Sequence, residues 1–275
     1  LMPLWNSYPC WLQEAIDSVR SQVYERWQLC LADDASTDAR HLRFLDRLET
    51  INDPRIRLVR RAVNGHICAA SNSAAALATG EFVALLDHDD LLAPQALFEI
   101  ALLLQEHPDA DLIYSDEDKI DSHGHRYDPQ FKSDWSPELL LSYNYINHFT
   151  CIRRSLFEDV GRFREGFHGS QDHDLLLRIT ERTDRIYHIP QILYHWRSHP
   201  QSTASSASQK SYVHDSGRKA VAEALSRRGS LAELTVPAFA KRHGLPILSL
   251  RAVGQGPRVA ILITGDEAAA KKTAE

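Results

Sequence analysis

Three acids within four positions, Asp87, Asp89 and Asp90, close an otherwise apolar run, Glu81-Phe-Val-Ala-Leu-Leu-Asp87-His88-Asp89-Asp90. Phe82 to Leu86 is short and β-prone, which predicts a buried strand of a parallel sheet carrying carboxylates to its own tip. If the chain stays extended beyond Leu86, the two-residue period points Asp87 and Asp89 to one side. Paired carboxylates of this kind suit Mg2+ or Mn2+, hard cations that take oxygen ligands and keep positions open for phosphate and water. The competing reading, a helix cap by Asp90, uses one acid and leaves two without a role.

Three further clusters sit at or beside the ends of apolar stretches. Asp33-Asp34-Ala-Ser36-Thr37-Asp38 follows the strand-like Gln28 to Ala32, and one of its paired acids could accept hydrogen bonds from a base or ribose. A turn with a helix cap explains the same spacing equally well. Ser170-Gln171-Asp172-His173-Asp174 opens a helix that buries Leu175, Leu176 and Ile179. The helix dipole stabilises an aspartate in that first turn as the anion by about 0.3–1 kcal/mol, which fits it to take a proton from a hydroxyl. Helix-capping acids are common, so a cap is the plainer reading. In Tyr194-His195-Trp196-Arg197-Ser198-His199-Pro200, proline keeps His199 out of the helical region. An extended backbone there aligns His195, Arg197 and His199 on one side, as histidines for a metal shell and an arginine for phosphate. A surface strand with solvated histidines fits the same pattern. Ligands of open α/β sheets bind beyond the carboxyl ends of strands, so the four clusters could share one cleft.

These residues need a scaffold, and helical and strand-like periods alternate along the chain as in a mainly parallel sheet with helices on its faces. Helices are expected over 11–23, 38–48, 66–78, 94–107, 154–160, 171–182 and 212–228. Strands are expected over 28–32, 56–59, 82–86 and 110–114, with an extended piece over 185–199. Residues 121–145 lose the pattern and read as a binding loop. The 275 residues suffice for one α/β domain with appendages, and a net charge of −6 without a basic cluster argues against nucleic acid as a partner. Cys10, Cys30, Cys68 and Cys151 are dispersed and read as free core thiols of a reducing compartment. No stretch reaches membrane-span length and no secretory signal is visible, so a cytoplasmic domain is expected.

In this order and spacing the motifs resemble the inverting family 2 glycosyltransferases of the GT-A fold over roughly residues 2–203. Met2-Pro3-Leu4-Trp5-Asn6 looks like that family's opening nucleotide-binding loop, with Pro3 and Trp5 against the nucleotide. Ala32 to Asp38 is similar to its second loop, Gly80 to Asp90 to its DxD strand, and Gly161-Arg162-Phe163, Gln171-Asp172 and Tyr194 to His199 complete the series. The resemblance implies that Asp33 and Asp34 line the nucleotide site, with Asp34 on the base. It implies that Asp89 ligates Mg2+ or Mn2+ while Asp87 assists through ribose, metal or metal-bound water. Asp172 is then the base that deprotonates the acceptor, Arg197 lies on the donor, and His195 or His199 contacts metal or diphosphate. Asp116, Glu117 and Asp118 fall where such enzymes begin shaping the acceptor side.

The implied partners are a nucleotide-sugar donor, expected to be a UDP-sugar, and a glycan or lipid-linked glycan acceptor in polysaccharide biosynthesis. Peripheral association with the inner face of the membrane is expected of the full-length protein. Three segments follow: a catalytic domain over 1–203, a helix and linker over 204–255, and the start of a second domain over 256–275. The chain departs from the family in a first strand that reads as truncated and in Gly161-Arg162, where a glycine pair is usual. A bolder expectation is that residues 259–264 pair into the vacated strand position. The rival readings are a domain that binds a nucleotide sugar or glycan without turnover, and a nucleotidyltransferase. The latter calls for a glycine- and basic-rich triphosphate loop near the start, which is not visible.

Overall fold

The computed structural model describes residues 1–51, 53–199 and 207–253. The expectations for residues 200–206 and for the strand and helix beyond 253 lie outside the described residues. β1 (Met2–Leu4), α1 (Pro9–Arg20), β2 (Leu29–Asp33), α2 (Ala39–Thr50), β3 (Ile56–Arg60) and α3 (His66–Ala75) build the first half. β1, β2 and β3 form a parallel sheet in that order, with Met2 opposite Leu31 and Leu29 opposite Ile56. β2 is buried along its whole length, as its apolar run requires. Asp38 caps α2 by accepting from the backbone N–H groups of Arg40 and His41. The first strand, expected to be cut short, is three residues long and occupies the edge of β2 opposite β3.

The second half runs through β4 (Phe82–Ala84), β5 (Leu91–Leu92), α4 (Ala96–Glu106), β6 (Leu112–Ile120), β7 (Arg126–Gln130), α5 (Pro137–Ser142) and β8 (Thr150–Arg153). It continues with α6 (Arg154–Asp159), α7 (Gln171–Ile179), β9 (Ile186–Arg197) and α8 (Ala207–Arg227), then β10 (Ala232–Thr235), α9 (Ala238–His243) and β11 (Ser249–Ala252). The second sheet has the order β4-β8-β6-β9-β5, with β7 on β6. Its β6–β9 pair is parallel, but β4–β8, β6–β8 and β5–β9 are antiparallel, so the parallel character expected throughout belongs to the first sheet and this one is mixed. Leu86 N donates to Leu1 O and the Leu1 amine to Ala84 O, which stitch the two sheets together. This is an α/β domain built on one parallel and one mixed sheet.

α7 is the element that matters most for the site, and its sequence explains its placement. His173 is buried, lies opposite the Leu140 carbonyl of α5 at 2.7 Å, and is pushed down to about 4 by burial, so its ring is neutral. Asp174 is fully buried and receives the guanidinium groups of Arg164 and Arg178. Asp172 is thereby the acid of this turn left to face outward. Removing one partner of a buried ion pair leaves charge without compensation, so Asp174→Ala is expected to cost about 3–5 kcal/mol of stability. Urea unfolding measures this, and a loss below about 1 kcal/mol would show that the cluster carries little of the fold.

The stretch over 229–255 expected as a linker contains the antiparallel pair β10–β11 and the short α9. α8 contributes Ala220, Val221, Ala224 and Leu225 to the same core as Leu175 to Leu177 of α7. At Gly161-Arg162 both residues are left-handed, with φ of 85° and 58°. Arg162 therefore carries strain of about 1–2 kcal/mol that a glycine would not. Its carbonyl accepts from Arg178 and its side chain pairs with Glu158, contacts that hold the turn.

Candidate active site

The opening loop and the second loop are locked to each other. Asn6 Oδ1 accepts from Thr37 N and Asp38 N, both at 2.8 Å, while Asn6 N donates to Ser36 Oγ. Pro3 lies in β1 opposite Ala32, and Trp5 stands on the surface at 57% exposure. The two acids of the second loop then diverge. Asp33 turns inward, 2.9 Å from His41 Nε2, and both acids are buried. Asp34 meets the N-terminus of α3, accepting from Gly65 N at 3.0 and 3.1 Å and from Arg61 Nε at 2.7 Å. A carboxylate offers about four acceptor sites, so Asp34 keeps capacity for one more donor. A Cβ at Gly65 would meet Ala69 Cβ at 2.8 Å as well as the Arg61 guanidinium at 2.6 Å, so a side chain there would push its neighbours aside.

The acidic strand ends differently from the extended geometry expected. β4 stops at Ala84, and a turn at His88–Asp89 closes with Asp90 N on Asp87 O, so the turn and not the strand period sets the two carboxylates. Asp90 is the buried anchor. It accepts from Tyr194 OH at 2.6 Å and from Arg197 N at 2.7 Å, and burial next to Asp89 and Asp87 pushes its carboxyl well up. Asp87 is 46% exposed at the side chain and lies 4.0 Å from His148 Nε2. Asp89 lies 2.9 Å from His199 Nε2.

The last cluster separates along β9. His195 faces Asp118 Oδ1 at 2.6 Å. Arg197 is buried, and its guanidinium donates to Asp89 O and Glu14, leaving it poorly placed to grip phosphate. His199 follows the end of the strand and, like Arg197, meets Asp89. The distances thus separate the two histidines: His199 is the one beside Asp89. Among the described residues no group of three or more His, Cys, Asp or Glu side chains is poised to hold a metal. The Asp89–His199 pair nonetheless suits a divalent cation that takes mixed oxygen and imidazole ligands and completes its shell with phosphate and water.

Asp172 lines a cavity of about 820 Å³ together with Glu117, Lys132, Tyr143, His148 and Trp196. Its pKa is raised to about 6, by burial first and then by the nearby charge of Asp87. The helix dipole expected to hold the acid ionised is outweighed, although the carboxylate form still dominates at neutral pH. If Asp172 acts as a base, kcat/KM is expected to fall tenfold per pH unit below about 6 and to level above it. A flat profile between pH 5 and 7 would remove it from that role.

His148 belongs to none of the four spaced clusters. Its backbone N donates to Glu117 Oε2 at 2.5 Å, its Nδ1 lies 3.3 Å from the same oxygen, and its carbonyl accepts from Lys132 Nζ. Burial alone would lower its pKa, but Glu117, Asp87 and Asp90 outweigh that and raise it to about 9. Asp116, Glu117 and Asp118 lie inside β6, beyond the Tyr114 at which the strand was expected to end, and each faces a histidine: His188, His148 and His195. All four cysteines are free, with Cys10 exposed and the other three in the core as expected.

The chain belongs to glycosyl transferase family 2, whose model matches residues 1–161. It is 42% identical over 236 residues to the O-antigen biosynthesis protein RfbC of Myxococcus xanthus, an alignment that covers 86% of this chain and 18% of RfbC. The chain spans a quarter or less of the length of such curated relatives. Its fold is similar to that of S. aureus TarS 1-349 in complex with UDP-GlcNAc, with a TM-score of 0.62, 20% identity, and coverage of 82% of this chain and 71% of that one. The mannosyltransferase PcManGT from Pyrobaculum calidifontis, in complex with GDP-Man and Mn2+, is similar at a TM-score of 0.56 and 18% identity, covering 88% of this chain and 77% of that one.

Proposed function

We propose that this chain is the catalytic part of an inverting glycosyltransferase that moves a sugar from a nucleotide donor, taken to be a UDP-sugar, to a hydroxyl of a glycan or lipid-linked glycan. The observation that carries this reading is the joint position of Asp172 and the acidic turn. The acid lines the cavity that would admit an acceptor, close enough to Asp87 to feel its charge. The acceptor hydroxyl gives its proton to the Asp172 carboxylate as its oxygen forms a bond to the anomeric carbon. The bond from that carbon to the nucleoside diphosphate breaks on the opposite face, the leaving oxygen keeps the electron pair, and the configuration inverts.

Asp34 and the opening loop with Pro3 and Trp5 would border the nucleotide, Asp87 the ribose or diphosphate, and Asp89 with His199 the cation. Mg2+ or Mn2+ bound there would supply Lewis-acid neutralisation of the diphosphate charge. Arg197 and His195 act by position, the first tying the Asp89 turn to Glu14 of α1 and the second holding Asp118. We assign the catalytic unit to residues 1–203. α8 and the segment over 244–248 add a wall, since His214, Arg218 and Leu248 also line the cavity. Among the described residues no helix is long and apolar enough to cross a membrane, and we place the activity in the cytoplasm or at the membrane's inner face.

A thermal-shift panel of UDP-, GDP- and dTDP-sugars with and without Mn2+ tests the donor reading. Stabilisation by one nucleotide class, dependent on the metal, is the expected result. Binding without any transfer or donor hydrolysis would favour a binding-only domain.

A further inference from the structure

We propose that the basic and apolar face formed by α9 and residues 244–246 is a membrane-docking surface, which sets the protein against an anionic lipid bilayer with the rim of the acceptor cavity turned to the lipid. The inference rests on the lipid-linked acceptor of the reading above and deepens it by naming the surface and the class of lipid. Charge is divided unevenly along the chain. Residues 207–253 hold eight lysines and arginines against three acids, in a protein whose net charge is −6. Several of these cations are used within the fold: Arg227 and Arg228 pair with Glu181, Arg251 with Glu233, and Lys219 covers the Phe167 ring. Lys241 and Arg242 are exposed and pair with no carboxylate among the described residues.

α9 buries Ala240, while Phe239, Arg242 and His243, spaced three and four apart, share an outward face. Phe239 is 54% exposed, and the exposed Val236 and Leu245 flank the helix. Apolar side chains set beside cations without a protein partner match the headgroup boundary of an anionic bilayer, where lipid phosphates take the cations and the ring enters the acyl layer. This face is continuous with the site. Gly244, Leu245 and Pro246 follow α9 directly, are exposed, and line the cavity that holds Asp172. A second depression of about 460 Å³, lined by Pro237, Phe239, Leu250 and one acid, Glu138, shares Ser142, Ile247 and Leu248 with that cavity. A glycan carried on a lipid at this surface therefore reaches Asp172 from the bilayer side.

Sedimentation of the 275-residue chain with vesicles of phosphatidylcholine alone, and with about 30% phosphatidylglycerol added, tests this. Binding to the anionic vesicles and not to the neutral ones is expected, weakening at about 0.5 M salt. A basic side chain at an anionic surface is worth about fivefold in partition, so the double variant Lys241→Glu, Arg242→Glu is expected to lose at least about tenfold. Phe239→Ser is expected to lose about fivefold through the apolar area it no longer inserts. All three side chains are exposed, and an unchanged thermal midpoint shows that the variants fold. No binding by the wild type, equal binding to neutral and anionic vesicles, or wild-type binding by both variants overturns the proposal. So does a loss on charge reversal that Phe239→Ser does not share, which marks a purely electrostatic surface of the kind that fits an acidic protein. The vesicle assay needs no donor. A chain that binds vesicles but no nucleotide overturns the donor reading and leaves the docking surface standing, and the reverse result overturns the surface alone.

Discussion

Asp172→Asn is expected to lower kcat by about 10²- to 10⁴-fold while leaving nucleotide affinity near that of wild type. The amide keeps the shape of the side chain and its place beside Gln171 Nε2, 3.0 Å away in the parent protein, but it cannot accept a proton from an attacking hydroxyl. The helix has no reason to move. α7 is fixed by His173 on the Leu140 carbonyl and by Asp174 between Arg164 and Arg178, none of which the substitution touches. Asp172 lines the cavity assigned to the acceptor, so a loss confined to turnover separates a base from a binding residue. Single-turnover transfer measured beside nucleotide calorimetry gives both numbers. Turnover within about threefold of wild type would mean that the proton leaves by another route.

Most of the framework is legible in the sequence because the relevant signals are local. A helix cap after the second loop, the buried run of β2 and the apolar face of α7 are set by neighbours within a few positions, and the elements form where those patterns place them. β6 was expected to end at Tyr114 because three successive acids resemble a loop. It continues to Ile120 because His188, His148 and His195, remote in sequence, supply the partners that make the acids tolerable in a sheet. A carboxylate without its partner looks solvated, and a partner 31 residues away, as between Glu117 and His148, leaves no periodic trace.

The same limit governs the site. That acids cluster at the end of β4 was legible, but their directions were not, since they depend on where the turn at His88–Asp89 closes and on Asp90 reaching β9. Alternation along β9 is the basis for aligning His195, Arg197 and His199, but Asp118 on β6 takes His195, while Arg197 and His199 both meet Asp89. Arg197 was a reasonable candidate for phosphate on charge alone, and only the position of Glu14 on α1 shows how its donors are used.

Loss of the Asp89 carboxylate should be the most damaging change on the donor side. Asp89 and His199 form the pair best suited to a cation, and removing one of two protein ligands costs more than removing an outer-sphere partner, itself worth about 10- to 100-fold in metal affinity. Asp89→Ala is therefore expected to weaken Mn2+-dependent nucleotide affinity by on the order of 100-fold or more. In a thermal-shift experiment at a ligand concentration of about 100 Kd, the wild type gains roughly 2.7 kcal/mol. A variant bound 100-fold more weakly gains about 0.4 kcal/mol at the same concentration. For a domain of this size these correspond to shifts of roughly 5–10 °C and about 1 °C. The fold should tolerate the change better than it would tolerate loss of Asp90, because the Asp89 carbonyl that receives Arg197 belongs to the backbone and is kept. An Asp89→Ala protein that still shows the full metal-dependent shift would move the cation away from this pair, and with it the orientation assigned to the diphosphate.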